Sequence, residues 1–219
     1  MPKVTFHIVT IFPKMLDSYL GQSILGRAIK NKRVGVKFYN PRDFTSDKHH
    51  KVDDRPYGGG PGMVMYALPI IRAVRKIRKL KPRAKTILFS VSGKQFTNVM
   101  ARTLSKKYKD IILIAGHYEG IDARVVKILK AEEISVGPYI LTGGEIPTMV
   151  IIDSIARQIP GVLGKWESLE EERVSSSQVY TRPEILKFGG KDYKVPKVFL
   201  SGHHKKIEEY KKSLTNKLG

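Results

Sequence analysis

The densest chemical signal lies in residues 136–147, Val-Gly-Pro-Tyr-Ile-Leu-Thr-Gly-Gly-Glu-Ile-Pro, where three glycines and two prolines share twelve positions. Gly137-Pro138 and Gly143-Gly144 are turn signals, so two bends bracket a short apolar piece. Glycine lets backbone N–H and C=O groups approach a ligand with no side chain between. A second loop of this kind, Gly116-His117-Tyr118-Glu119-Gly120, follows the apolar run 111–115. A third, Ser90-Val91-Ser92-Gly93, follows residues 86–89. Three strands that end in small-residue loops imply one ligand site at the carboxyl edge of a parallel sheet. A long polar stretch, residues 40–62, carries Asp43, Asp47, Lys48, His49, His50, Asp53, Asp54 and Arg55 and ends in Pro-Tyr-Gly-Gly-Gly-Pro-Gly. Paired carboxylates and an arginine ahead of the glycines favour a binding loop over a linker. Asp153 and Arg157 stand four apart, acid first, which by itself is a helix-surface ion pair of about 0.2–0.5 kcal/mol.

Other chemistries are excluded. The phosphate loop ending in Gly-Lys-Ser/Thr is absent, and so is the dinucleotide fingerprint of three spaced glycines. The chain has no cysteine, which removes disulfides, thiolate zinc sites and thiol catalysis. His49-His50 and His203-His204 are adjacent pairs without an acid at zinc spacing, so no metal site is expected. No serine, histidine and acid set reads as a nucleophile motif.

The elements that must position these loops alternate between strand and helix. Strands are expected over residues 5–11, 34–39, 86–91, 111–115 and 133–136, and helices over 14–30, 65–80, 94–108, 122–130 and 146–159. That order gives an α/β fold with a mainly parallel sheet. The helix at 65–80 presents Arg72, Arg75, Lys76, Arg78 and Lys79 as a solvated basic face. Apolar periodicity stops after residue 160. The expected organisation is a first domain over 1–160, a linker over 161–177, and a small basic helical domain over 178–219 with one clear helix at 205–218. Forty Lys and Arg against twenty Asp and Glu give a formal net charge of +20, which points to a polyanionic partner, nucleic acid first. No apolar run approaches the roughly 20 residues of a membrane span, and the N-terminus lacks a signal-peptide pattern. A cytoplasmic protein with no membrane association is expected.

Five blocks carry a family resemblance. They are Asp53-Asp54-Arg55-Pro56-Tyr57-Gly58-Gly59-Gly60-Pro61-Gly62-Met63, then Gly116-His117-Tyr118-Glu119-Gly120-Ile121-Asp122, then Ser135 through Glu145, Ile159-Pro160-Gly161-Val162-Leu163-Gly164, and Tyr180-Thr181-Arg182-Pro183-Glu184. In identity and order they are similar to the signature of the bacterial tRNA (guanine-N1)-methyltransferases of the SPOUT class. That resemblance implies a deep trefoil knot late in the α/β domain, S-adenosyl-L-methionine as cofactor, tRNA as substrate and a homodimer with a shared active site. It implies methylation of N1 of the guanosine 3′ of the anticodon, position 37, and leaves any Mg²⁺ without a tight protein site. It assigns the cofactor to Ser90, Gly116, Tyr118, Glu119, Gly120, Val136, Gly137, Tyr139, Leu141, Gly143, Gly144 and Pro147. It assigns the substrate to Asp53, Asp54, Arg55, Tyr57, Gly58 and Gly59. Arg157 matches the catalytic arginine; Glu172, fifteen residues on, stands where the family has its aspartate base, beside Glu170 and Glu171. Because the acid is Glu, two alternatives stay open here: a non-catalytic RNA-binding relative, and a SPOUT methyltransferase with another RNA target.

Overall fold

The computed structural model describes residues 3–163 and 179–215. The chain divides into two compact units, Met1–Gly164 and Lys165–Gly219. The first is built on a five-stranded sheet. Its strands are β1 (Val4–Val9), β2 (Val34–Tyr39), β5 (Lys85–Gln95), β6 (Asp110–Ile114) and β7 (Glu132–Ser135), in the order β2-β1-β6-β5-β7. Every pairing in that sheet is parallel.

Helices cover both faces, and the strand residues alternate between two cores as a period of two demands. Phe6, Ile8, Ile111 and Leu113 face α1 (Lys14–Leu20), α2 (Ser23–Lys30), α4 (Asn98–Lys107) and α6 (Glu145–Arg157). Val9, Ile112 and Ile114 face α3 (Ala67–Leu80) and α5 (Arg124–Leu129). After Asp110, β6 is therefore apolar without interruption, the mark of a parallel strand covered on both sides.

Several elements differ from the sequence reading. The expected helix over residues 14–30 is two helices: Gly21 ends α1 with its N–H on the Asp17 carbonyl, and α2 restarts at Ser23. The polar stretch after β2 is not structureless. It holds a 3-10 turn, Pro41–Phe44, capped by the Asn40 side chain, and an antiparallel ribbon of β3 (Asp53–Asp54) and β4 (Val64–Met65). Arg78 is not part of a solvated basic face. Its guanidinium turns inward and donates to Thr86 Oγ1 and the Leu129 carbonyl, both at 2.7 Å, so it braces α3 against the sheet and α5.

The helix expected at 94–108 starts later, at Asn98, because β5 runs on to Gln95 and Thr97 caps α4 through Met100 N–H. β5 does so by looping out: Phe89 and Lys94 both register against Ile134 of β7, and residues 90–93 are displaced from the ladder. In the second unit, β8 (Ile185–Phe188) and β9 (Lys191–Lys194) form a hairpin ahead of α7 (Lys197–Leu200) and α8 (His204–Thr215). The helices match the expected helical character, and the hairpin adds to it. Phe199 packs between the rings of Tyr180 and Tyr210, at 5.3 and 5.6 Å.

Candidate active site

A cavity of about 400 Å³ opens at the carboxyl ends of β5, β6 and β7. Its walls are the three loops singled out in the sequence. Ser90 and Val91 come from the displaced part of β5; Gly116, Tyr118, Glu119 and Gly120 follow β6. Val136, Gly137, Tyr139, Leu141, Gly143, Gly144 and Pro147 span the passage from β7 into α6. All twelve residues expected at the cofactor thus line one cavity. Leu88, Ile121 and Ile134 supply apolar wall between them. A mostly apolar cleft of this size with a few convergent polar groups suits a small organic ligand.

The cavity exists because two loops pass at backbone contact. Gly144 donates to the Gly116 carbonyl at 2.7 Å, and Gly143 bridges His117. A Cβ at Gly144 would lie 2.6 Å from the Ala115 Cα and 2.8 Å from the Gly116 nitrogen, so only glycine fits. Beneath this crossing lies a polar cluster. The Glu145 carboxylate, 2% exposed, accepts from the Thr10 hydroxyl at 2.8 Å. Its other oxygen is 3.6 Å from Nδ1 of His117, whose ring packs edge-on against Phe12 and Tyr118.

Comparison with known proteins agrees with this geometry. Residues 4–218 match the family model described as tRNA (Guanine-1)-methyltransferase TrmD. The chain belongs to the TrmD family. It is 49% identical over 217 residues to a tRNA (guanine-N(1)-)-methyltransferase of Carboxydothermus hydrogenoformans, covering 96% of this chain and 83% of that one. It is 46% identical over 213 residues to the like-named protein of Clostridioides difficile, covering 94% and 90%. For that of Pseudoalteromonas atlantica the identity is 45% over 211 residues, covering 94% and 78%.

The TrmD signature block at residues 53–63 sits on the β3–β4 ribbon. Asp54 accepts from the Tyr66 hydroxyl at 2.6 Å and from the Arg55 N–H at 2.8 Å. The Tyr66 hydroxyl, then the Arg55 amide, hold its carboxyl below the usual range, so Asp54 is an acceptor and not a proton donor. Arg55 is exposed and Tyr57 stands fully in solvent. Gly58, Gly59, Gly60 and Gly62 turn the tip with positive φ. None of the six substrate candidates lines the cavity, but the base of their ribbon is bonded to its wall. Glu119 N–H donates to the Met63 carbonyl and Met65 N–H to the Gly120 carbonyl, both at 2.9 Å.

Arg157 is not at the cavity. It closes α6, ten residues past Pro147, about 15 Å along the helix at 1.5 Å per residue. Its predicted ion-pair partner Asp153 accepts from the Tyr19 hydroxyl at 2.8 Å. Ile146, Val150, Asp153 and Arg157 recur at helical spacing on one face of α6, and Ile146 and Val150 are exposed. Met15 and Tyr19 of α1 and Ile140 of the cavity loop are exposed as well. Glu172 lies outside the described residues. Sequence reasoning missed His117 and Thr10 as site residues. His117 sat inside a quoted motif with no assigned role; Thr10 closes a strand run and carried no signal. No helix among the described residues is long and apolar enough to cross a membrane.

Proposed function

We propose that this chain transfers a methyl group from S-adenosyl-L-methionine to N1 of the guanosine 3′ of the anticodon, position 37 of tRNA, in the cytoplasm and as a homodimer. The observation that carries the reading is the convergence of all twelve cofactor candidates on one cavity. The residues fit the donor: three bare turns offer main-chain groups to an adenosine, and the apolar walls suit its uncharged surface. The backbone crossing of Gly144 over Ala115 and Gly116 also fits the trefoil knot of the family resemblance. When bound, the donor supplies a methyl on a cationic sulfur, with a neutral thioether as leaving group.

The chain's own residues must do the rest. N1 of guanine carries a proton and is a poor nucleophile until that proton leaves. Glu172, with Glu170 and Glu171 as neighbours, is assigned the base that accepts it. Loss of that proton would leave N1 with the electron pair that a methyl acceptor needs. Arg157 is assigned to guanine O6, where negative charge gathers as the proton departs. Asp53, Arg55, Tyr57, Gly58 and Gly59 on the ribbon, with Asp54 as a fixed acceptor, place the nucleotide over the cavity mouth. Any Mg²⁺ arrives with the polyanionic RNA.

Distance favours a dimer. About 15 Å of helix separates Arg157 from the cavity of its own chain. Arg157 shares the face of α6 that exposes Ile146 and Val150; Tyr19 of α1 reaches Asp153 on that face and is exposed with Met15, and together these side chains suit a partner surface. A second copy on that face brings its Arg157 to this chain's cavity, in a two-fold arrangement where each site draws on both subunits. The test is a mass-spectrometric map of nucleosides after incubation of the protein with S-adenosyl-L-methionine and unmodified tRNA transcripts. The expected product is 1-methylguanosine at position 37 only. Methylation elsewhere, or none with excess protein, overturns the reading.

A further inference from the structure

The Thr10–Glu145–His117 cluster has no part in the chemistry above, yet it lies directly under the cavity. Glu145 is the first residue of α6, right after Gly144, and is almost wholly out of water. A carboxylate so placed requires compensation. Thr10 supplies one hydrogen bond, and Thr10 is itself fully buried and held by the Phe12 N–H on its Oγ1 at 3.0 Å. The α6 N-terminus supplies favourable dipole. The second oxygen faces His117 Nδ1 at 3.6 Å, and that nitrogen is buried with no hydrogen-bond partner. His117 is a wall of the cavity; Glu145 is not. The His117 ring is fixed at 4.8 Å from Phe12 and 5.1 Å from Tyr118, and the His117 backbone N–H donates to Met65 Sδ. A Cβ at Gly143 would meet both Glu145 Oε2, at 2.5 Å, and His117 Nδ1, at 2.6 Å. The pair therefore sits at the one point where the loop after β6, the turn before α6 and the end of β1 meet.

We propose that Glu145 and His117 act together as positioning residues for the methyl donor. Their contact sets how closely the turn at Gly143 and Gly144 lies on the loop at Gly116 and His117, and so sets the shape of the cavity. Neither touches the reacting atoms. A role of this kind moves donor affinity and leaves the chemical step at saturating donor largely intact. It also makes the two residues non-additive, since either change alone breaks the same contact.

This inference rests on the reading that the cavity holds S-adenosyl-L-methionine, and the experiment separates the two. Donor affinity is measured by calorimetry for the wild type, Glu145→Gln, His117→Phe and the double variant. Glu145→Gln keeps an acceptor for Thr10, and His117→Phe keeps the ring contacts while removing Nδ1. Single-turnover rates at saturating donor and thermal midpoints without ligand are recorded alongside. The expected result is a loss of affinity of about tenfold in each single variant and about the same tenfold in the double variant, the signature of one shared contact. The expected single-turnover rate stays within about threefold of wild type, as for lost uniform binding. Wild-type affinity in His117→Phe overturns the proposal, and so does a double variant whose loss is the product of the single losses. Should Glu145→Gln not fold, His117→Phe alone decides, because it leaves Glu145 with Thr10 and the helix N-terminus. A wild-type protein that binds no donor overturns the proposed function instead.

Discussion

His7 and Glu145 are both almost fully buried, and the residues around each decide what it can do. His7 sits on β1, with Nε2 2.9 Å from Asp110 and Nδ1 3.1 Å from the Tyr39 hydroxyl. Burial, the largest influence, pushes its pKa below the ordinary value; the Asp110 hydrogen bond and charge oppose this, and Lys37 and Lys81 reinforce it. A base with a depressed folded pKa binds fewer protons folded than unfolded between the two values, so stability rises with pH across that interval. The contribution is complete above the unfolded value of about 6.5 and is lost as pH falls through the depressed folded value. Urea titrations from pH 8 down to pH 5 should show stability falling below about pH 6.5, and the slope should flatten in His7→Gln. An identical slope in that variant would assign the acid sensitivity elsewhere. Asp54 is the opposite case. It is exposed, and the Tyr66 hydroxyl and the Arg55 amide hold it ionised as a fixed acceptor within the ribbon.

Among the elements, the passage from β7 into α6 governs the site. It supplies seven of the twelve cofactor candidates that line the cavity and carries the buried Glu145 into the first turn of the helix. Its geometry depends on Gly144. In Gly144→Ala the added methyl meets Ala115 and Gly116 backbone, which cannot swing aside as a side chain would. The expected cost is about 1–3 kcal/mol of stability, in line with overpacking. Donor affinity should fall by at least about 30-fold, as both loops shift at once. Thermal melts and calorimetry on the same preparation check both; unchanged affinity would mean that the loops can part without loss of the cavity. The β3–β4 ribbon is the second decisive element. Its two ladder pairs are too few to stand alone, and the bonds to residues 119, 120 and 122 hold it to the cavity wall. Under the proposed function, that coupling gives a physical route by which donor and nucleotide sense each other.

For the whole molecule, the proposed dimer makes a specific prediction about Arg157. Arg157→Ala should remove most turnover while leaving donor affinity near wild type, since the residue lies away from the cavity of its own chain. Co-expression of Arg157→Ala with Gly144→Ala then reports the arrangement. If Arg157 acts across the dimer, the mixed dimer holds one site with an intact cavity and an intact arginine. At a donor concentration that fills the wild-type cavity but not that of Gly144→Ala, random pairing then restores about a quarter of wild-type activity from two poorly active proteins. If Arg157 acts within its own chain, each mixed site lacks one part and activity stays at the level of the parents. The net charge of +20 bears on the substrate and not on the fold.

The α/β class, the parallel sheet, the three cavity loops and the family were all legible in the sequence. Apolar periodicity, turn residues and motif blocks are local properties, and they survive without knowledge of the fold. Proximity across the chain was not legible. Nothing local brings Thr10 to Glu145, 135 residues away, or His117 beneath the turn at Gly143. Nothing local turns Arg78 inward, since its charge reads as solvated until Thr86 and the Leu129 carbonyl are placed beside it. Composition and period constrain which elements form; only the packing of those elements on one sheet decides which side chains meet, because that contact is made by the fold and not by neighbours in the chain.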